Sequence, residues 1–242
     1  MTKRQSPPAA SAFTLVELLV VIAIIAILAA IAVPAFSSAQ FSASRAKSAG
    51  NLKNFGAAMY SFVADNNGMM PGPANGNTLS RISPHASSGS ANGLEVQLMT
   101  YLEKERPSGN SWGTFFMKSL AYPAWQSLNK GTGDNGIPCY LACQAYPMPD
   151  GTVFSPFGAQ GGVKPMSAVA LQSKLSQFTA DQTKPYALIE LDQSLFNTAV
   201  TWVSPGWKSR LSTNALHGKA RNVLYFDGSV AAVSVDRKPL PW

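Results

Sequence analysis

The strongest pattern in the chain is an apolar run near its start. Residues 18–33 are sixteen apolar residues without a break, and no lysine or arginine occurs between Arg4 and Arg45. A helix over residues 13–36 would be about 36 Å long, enough to cross a bilayer core of about 30 Å. Because Lys3 and Arg4 precede the run, we expect a cytoplasmic N-terminus and an extracytoplasmic remainder.

A second, amphipathic pattern follows the apolar run. Four apolar residues recur at spacings of three and four, which gives a helix one apolar face: Leu52, Phe55, Met59 and Phe62. Residues 65–68 read Asp-Asn-Asn-Gly, a sequence that tolerates left-handed backbone and ends helices. The sequence therefore predicts one long helix over residues 13–64, half in a membrane and half in a head domain.

Strand signals concentrate near the end of the chain. Residues 186–191 predict a short strand, and the β-rich runs 222–226 and 229–235 flank Asp227 and Gly228. An Asp-Gly pair there predicts a hairpin in which both central residues have positive φ. Four hairpin residues are expected to pack on the long helix: Val223, Tyr225, Val230 and Val233. The predicted fold class is α+β, a long N-terminal helix on a small antiparallel sheet.

The middle of the chain gives weaker signals. A short helix is predicted over residues 94–102, and a second is predicted to start at the capping residue Ser167. Residues 66–93 and 146–165 are rich in glycine, asparagine, serine and proline, which predicts loops. Residues 115–128 are ambiguous between helix and strand.

Composition narrows the function classes. The formal charge is +7, but the basic residues are dispersed and match no nucleic-acid-binding signature, so a solvated surface is favoured over nucleic acid as a partner. Removal of Lys3 and Arg4 with a leader would lower the charge by two, to +5. The common motifs of hydrolases, metalloproteases and nucleotide-binding enzymes do not occur, and we expect no enzyme.

Glu17 is the anomaly of the apolar segment. A carboxylate near the end of a membrane helix is costly unless it is paired. Cleavage before Phe13 would free an α-amine that is charged at neutral pH. Between parallel, staggered helices, the Glu17 of one chain could meet the amine of another.

The segment over residues 12–17, Ala-Phe-Thr-Leu-Val-Glu, with the apolar run behind it, resembles the cleavage and methylation motif of type IV prepilins and type II secretion pseudopilins. The resemblance implies cleavage between Ala12 and Phe13 by a prepilin peptidase, N-methylation of Phe13 and a subunit-docking role for Glu17. It also implies a helix bend at Pro34. The family usually has glycine before the cut; this chain has Ala12, and we expect slower processing.

The resemblance implies four segments: a leader (1–12), a transmembrane helix (13–36), its amphipathic continuation (37–67) and a pilin-like head (68–242). The chain would be a pilin or pseudopilin subunit of the bacterial cytoplasmic membrane, assembled into a type IV pilus or a secretion filament. The implied partners are other subunits, the peptidase and methyltransferase, the assembly platform and membrane lipid.

Rival interpretations of the same segment remain open. An ordinary signal peptide would be cut after the apolar run, for instance after Ala39. An unprocessed membrane anchor is another alternative. The head could also be a surface-displayed binding protein on a prepilin-type anchor, or an anchored hydrolase that depends on His217.

The C-terminal part carries a second signature. Nine residues separate His217 from Asp227-Gly228, which resembles the H-X9-DG subgroup of pilin-like proteins. Many members have histidine after the Asp-Gly, where this chain has Ser229. One interpretation is a metal site formed by Asp192, His217 and Asp227. The favoured interpretation is structural: Asp227 serves the turn and His217 bonds a backbone carbonyl.

Calcium and a disulfide are two further candidates. Secretion pseudopilins bind calcium in the loops of the head. Here the acids of the loops, Asp134, Asp150 and Asp181, are scattered and form no oxygen cage. No cofactor is predicted, and calcium stays an open alternative without support. Cys139 and Cys143 would share a face of a helix, so they are a candidate disulfide in an exported head. Two free, buried thiols are the equal alternative.

Overall fold

The computed structural model describes residues 14–73, 79–82, 85–87, 93–103, 114–117, 119–128, 138–143, 145–148, 150–159, 162–178, 184–195 and 211–236. The helices are α1 Leu15–Asp65, α2 Leu94–Gln97, α3 Met99–Leu102, α4 Pro123–Leu128 and α5 Ala168–Leu175. The strands are β1 Leu79–Ile82, β2 His85–Ser87, β3 Thr114–Phe116, β4 Tyr140–Cys143, β5 Tyr146–Pro147, β6 Val153–Phe154, β7 Tyr186–Glu190, β8 Ala220–Tyr225 and β9 Val230–Ser234.

The long N-terminal helix is confirmed. Helix α1 has 51 residues, and it ends where the polar turn was predicted, with Asn67 and Gly68 at positive φ values of 52° and 75°. The Gly68 amide donates to the Val63 carbonyl at 2.9 Å, which satisfies an orphan carbonyl of the last turn. The chain divides into two compact units, Met1–Ser42 and Ala43–Trp242, and α1 contributes to both.

The second unit contains a five-stranded antiparallel sheet in the order β1-β4-β7-β8-β9. Two small antiparallel pairs, β2–β3 and β5–β6, accompany it. Together with α1 the sheet confirms the predicted α+β, pilin-like class. The strand at 186–191 is confirmed as β7, whose five residues are all buried.

The apolar face of α1 is largely as predicted. Leu52, Phe55 and Met59 are buried in the core, whereas Phe62 is only half-buried against the edge of the Tyr101 ring. Val63, its neighbour in the same turn, is buried instead. The burial of these side chains removes apolar surface from water and holds the second half of α1 in the head.

The face of β8 that meets the helix was predicted wrongly. The nearest neighbours of a Cβ placed on Gly56 would be the Leu224 side chain, at 3.1 Å, and Asn222 Nδ2 donates to the Arg45 carbonyl at 3.0 Å. Alternate residues of a strand share a face. Asn222 and Leu224 therefore face α1, and the predicted Val223 and Tyr225 lie on the opposite face.

The hairpin is confirmed, but its turn is of a different type. The Gly228 amide donates to the Tyr225 carbonyl at 3.0 Å, so Phe226 and Asp227 are the central residues of the turn. Gly228 has φ 79°, whereas Asp227 has no positive φ. This is the three-residue hairpin geometry in which a turn is followed by a glycine in the left-handed region. The predicted two-residue turn with two positive φ values is wrong.

Several local predictions on the middle of the chain were incomplete. The stretches 66–93 and 146–165, predicted as loops, contain β1, β2, β5 and β6. The ambiguous stretch 115–128 divides into β3 and α4, and the predicted helix 94–102 is broken at Leu98 into α2 and α3. The Ser167 cap of α5 is confirmed, since its Oγ accepts from the Ala170 amide at 3.2 Å.

Candidate functional site: the N-terminal segment and the Glu190 network

The first half of α1 exposes apolar side chains in every direction. Its side chains through Ala43 are exposed wherever the structure describes them, which is everywhere except at residues 34 and 35. By length and composition, α1 is a helix that could cross a membrane. Pro34 lies within the span of α1, and its predicted bend stays a prediction.

Glu17 has a partner within its own helix. Its Oε2 accepts from the Thr14 amide and from Thr14 Oγ1, both at 2.8 Å, and the Glu17 amide donates back to Thr14 Oγ1 at 3.3 Å. This reciprocal arrangement is a capping box, which satisfies orphan donors at the helix start. Glu17 therefore also caps its own helix, a role the sequence pattern had not indicated. Ala12 and Phe13 lie outside the described residues.

In the head, the buried carboxylate of Glu190 at the end of β7 gathers four donors. They are the Asn222 amide at 2.6 Å, Asn222 Nδ2 at 3.2 Å, His217 Nε2 at 2.9 Å and the Ser48 hydroxyl. A carboxylate only accepts, so Nε2 of His217 carries a proton. The predicted backbone-carbonyl partner of His217 is wrong, because its partner is this side chain.

The hydroxyl of Tyr140 extends the cluster. It lies 3.2 Å from Ser48 Oγ, and burial raises the pKa of Tyr140 well above its ordinary value. The side chains of His217 and Glu190 are only 1% and 4% exposed. Tyr122 packs against the His217 ring with centroids 5.7 Å apart. We call the five hydrogen-bonded residues the Glu190 network: Ser48, Tyr140, Glu190, His217 and Asn222.

Helix α1 contributes a polar stripe to the same region. Ser44, Ser48 and Asn51 are buried and lie one or two turns apart. Ser44 Oγ accepts from the Ala124 amide at 3.0 Å, and Asn51 Nδ2 donates to the Ala121 carbonyl at 3.1 Å. Buried polar groups stabilise a fold only when they are hydrogen-bonded in this way.

Asp192 belongs to a separate buried pair. Its carboxylate accepts from Arg221 Nε at 2.5 Å and from Nη2 at 3.1 Å, and it also accepts from the Leu195 amide at 2.8 Å. Arg221 Nη2 donates in addition to Ser194 Oγ at 2.6 Å. A two-pronged guanidinium–carboxylate contact of this kind is strong and directional. The carboxylate of Asp192 is therefore paired with the guanidinium of Arg221.

Asp227 lies at the exposed hairpin tip. Its Oδ1 accepts from the Ser229 amide at 2.9 Å and from Ser229 Oγ at 2.6 Å, and Oδ2 pairs with Lys184. Partial burial alone would raise the pKa of Asp227, but the bonds from Lys184 and Ser229 outweigh it and lower the pKa to about 2. Asp227 serves the turn, as the structural interpretation predicted.

Two features of the turn favour glycine at position 228. Its φ of 79° favours glycine, and a Cβ placed there would lie 3.3 Å from Cε2 of Tyr60 on α1. The Tyr60 hydroxyl donates to the Phe226 carbonyl beside it. The Asp-Gly turn is therefore a docking point of the hairpin on α1.

The candidate metal set is not assembled. Asp192 pairs with Arg221 near the start of β8, Asp227 lies beyond the strand's other end, and His217 bonds Glu190. Four residues of strand separate Arg221 from Tyr225, about 13 Å, and Asp227 lies further on, in the turn. Among the residues that the structure describes, no group of three His, Cys, Asp or Glu could hold a metal. Asp150 bonds Thr152 at 2.6 and 2.9 Å, and Asp134 and Asp181 lie outside the described residues.

The candidate disulfide is not formed. Cys139 is a free, buried thiol whose Sγ donates to the Ile82 carbonyl at 3.3 Å, and burial raises its pKa well above the ordinary value. Cys143 ends strand β4, so the two residues lie on extended chain rather than on a helix. Four residues of strand span about 13 Å, whereas disulfides join Cα atoms within about 7 Å.

The Glu190 network has serine, histidine and glutamate, but not the geometry of a nucleophilic triad. In such a triad the histidine lies between the nucleophile and the acid and takes the hydroxyl proton. Here Ser48 donates directly to Glu190, and the side chain of every member is buried. The arrangement can hold α1 on the sheet; it gives no route for substrate to the serine.

The sequence singled out His217 but missed the rest of the Glu190 network. Ser48 and Glu190 are 142 residues apart in sequence, and no local pattern joins them. Two signals were present: Ser44, Ser48 and Asn51 extend the buried face of α1 toward its start at helical spacing, and Glu190 ends an otherwise apolar strand.

Comparison with known families bears on the N-terminal segment. The family described as "Prokaryotic N-terminal methylation motif" matches residues 8–33. These residues include the predicted cut before Phe13, the Glu17 capping box and the whole apolar run, 18–33. The chain thus carries a prepilin-type motif, which indicates a type IV pilin-like or pseudopilin precursor. No curated protein and no solved structure matches the chain.

Proposed function

We propose that this protein is a pilin or pseudopilin subunit that a prepilin peptidase cuts between Ala12 and Phe13 and that then assembles into a type IV pilus or secretion-type filament. The observation that carries the proposal is the methylation motif over residues 8–33, joined to a helix whose first half exposes a mostly apolar surface. An exposed apolar surface of this size needs lipid or neighbouring subunits to cover it. We also propose that the protein belongs to the H-X9-DG subgroup, because nine residues separate His217 from Asp227-Gly228.

Before assembly, the mature chain resides in the cytoplasmic membrane with the head outside the cytoplasm. Lys3 and Arg4 set this orientation before they leave with the leader. In the filament, the apolar halves of α1 bundle, and Glu17 pairs with the methylated Phe13 amine of a neighbouring subunit. An ion pair in surroundings of low polarity is strong because water does not screen the two charges.

The docking role of Glu17 is tested by two substitutions with different local effects. Glu17→Ala removes both the charge and the capping box with Thr14, whereas Glu17→Gln keeps a capping-box side chain and removes only the charge. We expect both variants to insert in the membrane and neither to form filaments, measured by fractionation and electron microscopy of cells that lack the wild-type gene. Asp150→Ala, which removes an exposed head carboxylate, is the charge-matched control.

Normal filaments with Glu17→Gln would contradict the ionic docking. Unchanged function of the head with both Glu17 variants, in cells without filaments, would support the surface-displayed binding protein instead.

Processing is tested separately by N-terminal sequencing of the mature chain. We expect a start at methylated Phe13, and faster conversion of the precursor in Ala12→Gly than in the wild type. A start at Gln40 would instead identify a secretory signal peptide and remove the basis of the proposal. An uncut chain would identify a plain anchor.

A further inference from the structure

The buried face of α1 in the head has two chemically different halves. Ser44 is the first buried residue among those whose side chains are described, and the buried positions from there to Asn51 are polar. From Leu52 to Val63 the buried positions are apolar apart from Gly56. The polar half makes directional contacts with separate parts of the head, whereas the apolar half makes contacts without direction.

The apolar half alone does not define the axial position of α1 relative to the sheet. A shift by about one helical turn moves each residue to the site of the residue four positions away. Phe55 would then occupy the site of Met59, or Met59 the site of Val63. Protein cores tolerate such apolar exchanges. A face built only of these residues would leave neighbouring registers close in free energy.

The polar half distinguishes the registers in both directions. A shift one way would place Leu52 at the site of Ser48, and Glu190 would lose the Ser48 donor. A shift the other way would place Asn51 at the site of Phe55, where the core is apolar. Each of these outcomes leaves a polar or charged group buried without its partner, which is strongly unfavourable.

We infer that the Glu190 network, with Ser44 and Asn51, is a register lock that fixes the axial position of α1 on the sheet. His217 is a positioning residue in this lock: it bonds no part of α1 but holds the Glu190 carboxylate that accepts from Ser48. Asn222 closes the lock from β8, because its side chain bonds both Glu190 and the Arg45 carbonyl of α1. The inference is independent of filament assembly.

The lock is tested by measuring the position of α1 directly. Spin labels are attached to Lys53→Cys on α1 and Ser234→Cys on β9, both exposed, in the full chain in detergent micelles with Cys139 and Cys143 replaced by serine. Pulsed electron paramagnetic resonance should give one narrow distance for the locked protein. The lock variant is Ser48→Ala/Glu190→Leu/His217→Leu. We expect a second distance in this variant, populated by about a tenth or more of the molecules. The displacement along the helix would be about 6 Å, four residues of rise.

The matched control is Asp192→Leu/Arg221→Leu. It removes a buried charged pair of the same sheet whose described hydrogen bonds do not reach α1, and it should keep one distance. A single wild-type distance in the folded lock variant would overturn the inference, as would a second distance in the control.

A second variant decides the question if the first does not fold. Ser44→Ala/Ser48→Ala/Asn51→Ala leaves all groups of the sheet in place and uses the best helix former. We expect a folded protein whose distance distribution is broadened or doubled. One narrow, wild-type distance in this folded variant would show that packing alone sets the register.

Discussion

At the scale of single residues, the head shows two kinds of charged contact. Asp192 and Arg221 are buried together, whereas Asp227 and Lys184 are each more than half exposed. Removal of one partner of a buried pair strands the other charge in a medium of low polarity. Water solvates both partners of an exposed pair, so its loss costs little.

This difference predicts unequal effects of two similar substitutions. Arg221→Met should lower the free energy of unfolding by about 3–5 kcal/mol because Asp192 remains buried without its cation. Lys184→Met should lower it by less than about 1 kcal/mol. Chemical denaturation followed by circular dichroism measures both. Equal losses would contradict the assignment of Asp192 and Arg221 as a buried pair, and Asp192→Leu/Arg221→Met should recover part of the loss.

The lowered pKa of Asp227 predicts a pH dependence. Its ordinary pKa is 3.8 and its folded pKa is about 2, so the folded state favours the charged form. The resulting stabilisation is present above pH about 4 and is lost as the pH falls through about 2. Because the side chain is 52% exposed, we expect less than about 1 kcal/mol.

The test for Asp227 compares the free energy of unfolding of the wild type and of Asp227→Asn in buffers from about pH 5 down to about pH 2. The gap between the two should close toward the acid end. Lys184→Met should narrow the gap at pH 5, since it removes one source of the shift. A gap that widens in acid would show that Asp227 is not stabilised as its anion.

Residue roles were predictable only where they are local. The turn role of Asp227 follows from its neighbours Gly228 and Ser229, and the cap Ser167 precedes the helix that it starts. The partner of His217 was predicted wrongly because Glu190 approaches it through the tertiary fold. Serine and asparagine on a helix are usually solvated, and burial of Ser48 depends on a strand far along the chain.

At the scale of elements, two glycines of α1 have different surroundings. In the part of the chain that the structure describes, and apart from the glycine's chain neighbours and the nearby backbone of its own helix, nothing lies within 4 Å of a Cβ placed on Gly50. On Gly56 a Cβ would lie 3.1 Å from Leu224 Cδ1. Gly50→Ala should therefore raise the free energy of unfolding by about 0.5–1 kcal/mol through helix propensity. Gly56→Ala should gain less or lose, because Leu224 must move. Denaturation of the two variants side by side tests this, and an equal gain would contradict close packing of β8 on α1.

Elements were predictable where periodicity or turn chemistry is strong. The helix α1 and the hairpin β8–β9 have both, whereas β1 and β2 are short and lie in a stretch rich in glycine, asparagine and serine. The Cys139 and Cys143 spacing suggested a helix, but neighbouring strands on both sides recruit this segment as β4. Tertiary pairing overrides weak local preference.

At the scale of the whole molecule, the two units divide the apolar residues by exposure. The large apolar side chains of the first unit, where the structure describes them, are exposed, whereas most of those in the second unit are buried. A soluble domain does not carry a surface like that of the first unit. The N-terminal motif could be predicted from sequence because it is contiguous; the sheet that it accompanies could be predicted only in part.

This division predicts that residues 43–242 fold without the preceding segment. Such a chain keeps Ser44, Ser48, the apolar face of α1 and the whole sheet, and it loses the exposed apolar run. We expect a monomer in size-exclusion chromatography without detergent and one cooperative thermal transition. Residues 66–242, which lack the helix, should aggregate or melt without cooperativity because the core has lost Leu52, Phe55 and Met59. Cooperative folding of this shorter chain would mean that the sheet is stable alone, and α1 would then be an attachment rather than part of the core.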